Sequence, residues 1–344
     1  KELLLPTLSN VIDDVRDIQV LTHHGQTHLV KSDSVWLLVS KDNYPVAVDR
    51  VNRLLTELSR LERVSAKTKN PRYYEKLGLN SVDEENSRSI KVTLKADQGQ
   101  ELAAIVVGDS RPSPKDSTDI SRYMKQAGQA QSWLVAGELS LPRNALGWIN
   151  TRLFAYEVSN LKRVAVNVMG GSMLSISKLA ETDEDFILDD LPIDSAVSSQ
   201  FQLNQIAGHV ARLAMIDVNK RDEHETDVTK HPDAVVMVDT FSGQKLRLHF
   251  NKSSSGSDYL LRYWLNEQEA GWVYTVQAYQ VEGILKDRSL LFSRVEEGSA
   301  DKEDEVNVTS GELKLFEHKS DSGSLMTKRF CPNCGSQIFA ENSN

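Results

Sequence analysis

What most constrains this chain is a pattern of residues that occurs twice. Between Ile18 and Leu61 the chain runs through an alternating segment (Ile18, Val20), a turn at Gly25 and a second segment ending at Trp36. A Tyr44-Pro45 break follows, and then a helix with Val51, Leu54, Leu55, Leu58 and Leu61 at i, i+3, i+4, i+7 and i+10. A 3.6-residue period gathers those five side chains into one apolar stripe, which must be buried against something. The same helical spacing returns as Leu203, Ile206, Ala207, Val210 and Leu213. Around it Gly171 answers Gly25, Phe186 answers Trp36 and Pro192 answers Pro45. Further on, Ser242-Gly243 matches Gln98-Gly99, Trp272-Val273-Tyr274 matches Trp133-Leu134-Val135, and Leu291-Phe292 matches Leu153-Phe154. The matches keep their order, and their separation drifts slowly, as loop insertions and deletions would make it. The expectation is an α+β fold made by tandem duplication of an antiparallel-strand-rich unit, with an amphipathic helix packed on each sheet. The first unit covers 1–157 and the second 158–294.

Size and charge are compatible with that plan. At 344 residues the chain can bury the cores of two units. Its formal net charge of -9 opposes general nucleic-acid binding, which needs a basic face to neutralise phosphates. No apolar run approaches the roughly 20 residues that span a bilayer. The sequence opens on Lys1 without a methionine, the kind of start that a cleaved signal or a trimmed membrane anchor would leave.

Local signals fill in the first unit. Leu4, Leu8, Val11 and Ile12 suggest a lead-in helix over Lys1–Asp14, with Pro6 in its first turn. Val35–Val39 is apolar throughout, so a strand buried on both faces is expected there. A hairpin over Ser89–Ala96 and Glu101–Val107 is expected to turn at Gln98-Gly99 and to break at Gly108. A short helix should end at Gly78, and a closing helix should cover Leu146–Phe154.

The order and spacing of Trp36, Tyr44-Pro45, the leucine-rich helix, Tyr74 to Leu77-Gly78, Val107-Gly108 and Gly271-Trp272-Val273-Tyr274 resemble the domain-of-unknown-function 4340 family, over about residues 1–293. The resemblance implies a bacterial envelope protein, held at the inner membrane by one N-terminal anchor and facing the periplasm. It also implies a protein partner, with components of an ABC transporter of the gliding-motility type as candidates. It supplies no catalytic residues.

After Phe292 the composition changes. Residues 295–305 are acidic and nearly free of large apolar side chains, as in a linker extended by its own charge. Beyond them, 306–344 holds the only two cysteines, in Phe330-Cys331-Pro332-Asn333-Cys334-Gly335-Ser336. Cys-x-x-Cys-Gly is a metal-knuckle spacing, in which both thiolates converge and the glycine permits the tight turn. Cys331 and Cys334 are therefore candidate zinc ligands in a partial zinc-knuckle tail, a short zinc-ribbon-like β segment. A structural zinc takes four ligands, and His318, His224 and His231 are the histidines that could add to the pair. The same spacing also permits thiol redox exchange, which would need a helix N-terminus after the first cysteine.

Gly311-Glu312-Leu313, Phe316, Ser322-Gly323, Lys328 to Cys331, Cys334-Gly335-Ser336 and Phe339 resemble the last part of the glutathione-dependent formaldehyde-activating (centromere protein V-like) zinc family. That resemblance implies Cys331 and Cys334 as two ligands of a structural zinc, and carbon–sulfur lyase chemistry on glutathione adducts. The family's earlier cysteine clusters have no counterpart in this chain.

Other constellations carry bland readings. His23, His24 and His28 sit at a hairpin, and Asp183, Glu184, Asp185, Asp189 and Asp190 lack the regular oxygen spacing of a calcium loop. Tyr259, Tyr263, Trp264, Trp272, Tyr274 and Tyr279 could line a groove or pack a core. The expected function is thus a non-catalytic, envelope-facing accessory or binding module, and the alternative is a zinc-dependent carbon–sulfur lyase.

Overall fold

A computed structural model describes residues 2–113, 120–220, 231–295, 312–319, 325–333 and 335–343. The expected linker at 295–305 falls, apart from Val295, outside these residues. The chain divides into two compact units, Lys1–Arg294 and Val295–Asn344.

The first unit is α+β and mostly antiparallel strand. Its opening sheet contains β1 (Asp17–Thr22), β2 (Gly25–Ser32), β3 (Val35–Leu38), β4 (Glu62–Ala66), β5 (Ile90–Lys95), β6 (Glu101–Pro112), β7 (Ile120–Gln126) and β8 (Trp133–Ala136), with helix α1 (Val48–Ser59) between β3 and β4. Its strand order is β4-β8-β7-β6-β5-β1-β2-β3, with Glu2–Leu3 and Tyr44–Pro45 as short edges. The second sheet contains β9 (Leu161–Val168), β10 (Leu174–Ser177), β11 (Ile187–Leu188), β12 (Met215–Lys220), β13 (Ala234–Thr240), β14 (Lys245–Lys252), β15 (Asp258–Leu265) and β16 (Trp272–Gln277). Helix α2 (Gln200–Ala211) lies between β11 and β12, and α3 (Ala278–Ile284) follows β16. This sheet's order is β12-β16-β15-β14-β13-β9-β10-β11, the first order with each strand replaced by its counterpart in chain sequence.

Both helices form because their stripes have a sheet to cover. Val51, Leu54, Leu55, Leu58 and Leu61 are buried, as are Leu203, Ile206, Ala207, Val210 and Leu213. Ser199 caps α2 by accepting a hydrogen bond from the Gln202 N–H, which satisfies one of the free donors of the first turn. One apolar cluster runs through both sheets and helices, with Trp148 fully buried in it. Tyr44 meets Trp272 edge-on at 4.9 Å and Tyr274 at 6.4 Å between ring centroids, so the edge of the first sheet packs on the second. Lys41 pairs with Asp217 at the same junction. No helix among the described residues is long and apolar enough to cross a membrane.

Four local expectations are corrected. Lys1–Asp14 is no single helix: Glu2–Leu3 pairs as a strand with β4, and only Leu8–Val11 is α-helical. In β3 Trp36 and Leu38 are buried while Val35 is exposed, because only one face of that edge region is covered. Gly108 does not end its strand, since β6 continues through it to Pro112 with a register shift between Val107 and Ser110. Leu146–Phe154 contains one 3-10 turn, Ala145–Trp148, because Trp148 is drawn into the core and the chain then extends.

The second unit contains a three-stranded antiparallel sheet of β17 (Lys314–Lys319), β18 (Leu325–Phe330) and β19 (Gln337–Ser343), in that order. Leu315, Phe316, Leu325 and Ile338 are exposed on it.

Candidate functional site

The tail cysteine lies where β18 turns toward β19. The Cys331 N–H donates to the Ser336 carbonyl and the Gly335 N–H donates to the Cys331 carbonyl, both at 2.9 Å. Gly335 holds φ at +73°, in the left-handed region that glycine tolerates. The Cys331 thiol is free and half-buried; Cys334 lies outside the described residues. His318 is in β17 opposite Met326, five residues before Cys331. At about 3.3 Å per residue that is roughly 16 Å along the strand, whereas zinc ligands converge within about 2.3 Å of one ion. His318 therefore cannot complete a site at Cys331. His224 lies outside the described residues, and His231 belongs to the first unit, where its carbonyl accepts from Asn251. Among the described residues no group of three His, Cys, Asp or Glu side chains could hold a metal. The two cysteines are half of a tetrahedral donor set, so the residues present do not fit a complete zinc site.

A more developed surface lies on the outer face of the second sheet. Alternation sends Val164, Val166, Val236, Val238, Leu246 and Leu248 into the core, so the residues between them face outward. Register then sets Ala165 of β9 beside Met237 of β13, Met237 beside Arg247 of β14, and Arg247 beside Trp264 of β15. The neighbouring row is Arg163, Asp239 and Lys245. These residues, with Glu267, line a shallow hollow of about 300 Å³.

The Arg247 guanidinium stands 4.8 Å from the Trp264 ring centroid, a cation–π distance. Arg163 is held from the other side, its Nε donating to Ser175 Oγ at 2.9 Å. The Ser175 and Ser177 hydroxyls each donate to Asp189 at 2.6 Å, and Asp189 lies 3.6 Å from Arg163. Below Trp264, Arg262 is buried and ion-paired with Glu269. His249 packs on the indole at 4.4 Å between centroids. Burial first, then Arg247 and Arg262, push the His249 pKa below its ordinary value, so its ring is neutral at pH 7.

The same face of the first sheet is covered by the chain itself. Counted from the turns Gln98-Gly99 and Ser242-Gly243, Ala104 occupies the place of Arg247 and Thr93 that of Met237. The connection from β4 to β5 passes over this face and buries Tyr74, Leu79 and Val82. Tyr74 donates its hydroxyl to the Ala130 carbonyl at 2.5 Å, and Lys125 Nζ stands 4.5 Å from its ring. Burial lowers the Lys125 pKa.

The other singled-out residues have structural partners. His28 bonds Asp17 at 2.6 Å across β1 and β2. In the acidic loop, Asp183 accepts from the Ala180 N–H and Asp185 from the Asn204 amide, in addition to the Asp189 contacts. The aromatic cluster divides: Tyr263 and Tyr274 stack on the core side at 5.4 Å, while Trp264 faces the hollow and Tyr279 is exposed. Arg163, Met237, Lys245 and Arg247 escaped sequence reasoning, because only strand register brings them together. The available signal was their alternation with core residues in β9, β13 and β14.

A family model described as Domain of unknown function (DUF4340) matches residues 36–232. The chain belongs to the DUF4340 family. The matched stretch begins in β3 and ends beyond β12, so it takes in α1 and α2 and reaches into both sheets. A second model, Glutathione-dependent formaldehyde-activating enzyme, matches residues 293–344, which contain β17 to β19 and both cysteines. No curated protein and no solved structure matches this DUF4340 chain.

Proposed function

We propose that this DUF4340 protein is an accessory binding module whose working surface is the outer face of its second sheet. The observation that carries the reading is the hollow at Arg247 and Trp264, an exposed guanidinium held on an indole beside the apolar Ala165 and Met237. Tryptophan, arginine and methionine are enriched where proteins bind partners. The reading includes a tandem duplication of 1–157 and 158–294, supported by the common strand order and by two buried helical stripes of identical spacing. In the duplicated scaffold one outer face is occupied by its own chain and the other is open to a partner. The family resemblance supports the further reading of a module at the bacterial envelope, anchored in the inner membrane, facing the periplasm and serving an ABC transporter.

The test is capture of the protein, with the proposed anchor, in the presence of candidate ABC-transporter components. Co-purification that is lost on Arg247→Glu with Trp264→Ala is the expected result. Membrane extraction that leaves the protein soluble, or capture insensitive to both changes, refutes it.

A second reading is favoured by the formaldehyde-activating match at 293–344: the tail holds zinc at Cys331 and Cys334 and takes part in carbon–sulfur lyase chemistry. The cysteine pair falls two ligands short, so no catalytic step is assigned to it. Turnover of the glutathione–formaldehyde adduct by the purified chain, abolished by Cys331→Ser, would establish this reading over the first.

A further inference from the structure

We infer that the hollow on the second sheet receives an acidic, aromatic-bearing polypeptide segment of a partner protein. The inference rests on the binding-module reading and adds the chemistry of what is bound.

Three observations converge on that occupant. Arg247 is exposed and stacked on Trp264, and no hydrogen bond or ion pair is made by its guanidinium among the described residues. Stacking holds the fork in place while leaving its N–H donors free, which is the pre-organised form of a carboxylate receptor. Of the two carboxylates lining the hollow, Asp239 stands opposite Lys245 in the register. A free guanidinium held in place on an indole selects an anionic group.

Size and surroundings make that anionic group part of a peptide. A hollow of about 300 Å³ is at the small end for organic ligands and accommodates one or two side chains. Met237 is 49% exposed beside Arg247, giving an aromatic or branched side chain an apolar seat next to the carboxylate receptor.

The fold also contains an example of such an occupant. On the first sheet the covering segment places Tyr74 against the Lys125 ammonium, buries Leu79 and Val82, and continues into Asp83, Glu84 and Glu85. An aromatic ring on a cation with apolar anchors beside it is what that outer face accepts in cis, while the carboxylates that follow stay exposed. On the second sheet, Ala104 is replaced by Arg247, which raises the demand for acid.

The experiment uses the full chain labelled with ¹⁵N at its 5 tryptophan indoles, with the Trp264 signal assigned by its loss in Trp264→Phe. The probes are acetylated hexapeptides Glu-Glu-Phe-Glu-Leu-Glu, its glutamine analogue and its lysine analogue. The acidic peptide should shift the Trp264 indole. Arg247→Ala should weaken its binding about tenfold, as loss of a charge-assisted contact does, with Arg247→Lys in between. An unchanged urea midpoint for Arg247→Ala shows that the fold is intact. Equal binding of the glutamine or lysine peptide overturns the acidic assignment and leaves the module reading standing. A Trp264-dependent dimer in sedimentation overturns it in favour of a second copy. No indole shift with any peptide, together with partner capture insensitive to Arg247, brings down both.

Discussion

Gly108 offers the sharpest test of how the first sheet's outer face is closed. An added Cβ at this position would lie 2.2 Å from the Leu77 carbonyl oxygen and 2.9 Å from that of Gly78. Both obstacles are backbone, so no side-chain rotation relieves them. The 75–78 turn must therefore withdraw by roughly 1 Å or more to restore an ordinary contact of about 3.4 Å. That turn carries Tyr74, Leu79 and Val82 onto the sheet. Full loss of burial costs about 1.5–3 kcal/mol per side chain, and freeing the segment returns part of that as conformational entropy. Gly108→Ala should thus destabilise the body by about 3–5 kcal/mol. Urea unfolding should show a lowered midpoint, and hydrogen exchange should accelerate across 71–88 before the rest of the sheet. Gly99→Ala is the control: its Cβ meets nothing within 4 Å and only its φ of +80° is strained, so about 1–2 kcal/mol is expected. A midpoint for Gly108→Ala equal to wild type, with unchanged exchange over 71–88, would refute the reasoning.

Three further outcomes follow. Leu54→Ala, at a fully buried position of α1, should cost about 2–5 kcal/mol by denaturant unfolding, since the stripe is clamped against a sheet and collapses poorly. Burial first, then the neighbouring tyrosines, raises the Tyr274 pKa, and burial raises that of Tyr44. In the unfolded chain both ionise near pH 10, so their contribution is fully present below pH 10 and is lost as pH rises above it. Phenolate absorbance should show the Tyr274 ring ionising only with unfolding, and Tyr274→Phe should flatten the alkaline fall in stability. Elemental analysis should find at most one zinc per chain, lost on Cys331→Ser; zinc that survives this change would remove the knuckle from consideration.

Much of the scaffold was legible because its signals are local. A stripe such as Val51 to Leu61 can be read from spacing alone, and all ten stripe positions are buried. Turns at Gln98-Gly99 and Ser242-Gly243 were legible for the same reason, since glycine at positive φ announces itself. Where the expectation failed, tertiary packing overrode a short pattern. Trp148 looked like part of a helix, but a fully buried indole fixes the chain more strongly than one turn's propensity does. Gly108 looked like a strand breaker because the sequence does not display the Leu77 carbonyl that crosses above it. The candidate face was illegible for a related reason. Ala165, Met237, Arg247 and Trp264 are scattered over a hundred residues of chain, and their adjacency is a property of register.

The two outer faces explain why a common strand order need not mean a common role. Sheet order and core stripe are set by the inward residues, and these are closely matched in β5–β6 and β13–β14: Ile90, Val92 and Leu94 answer Ala234, Val236 and Val238. Outward residues carry no such constraint, so Ala104 and Arg247 can differ without disturbing the fold. A small residue at Ala104 lets the chain's own connection lie close to the sheet, and Gly108 extends that clearance further along β6. Arginine at the matching place leaves a bulky fork that would hold a covering backbone away, and Trp264 keeps that fork aimed outward. The difference that lets one sheet close on itself is therefore the same difference that keeps a receptor exposed on the other.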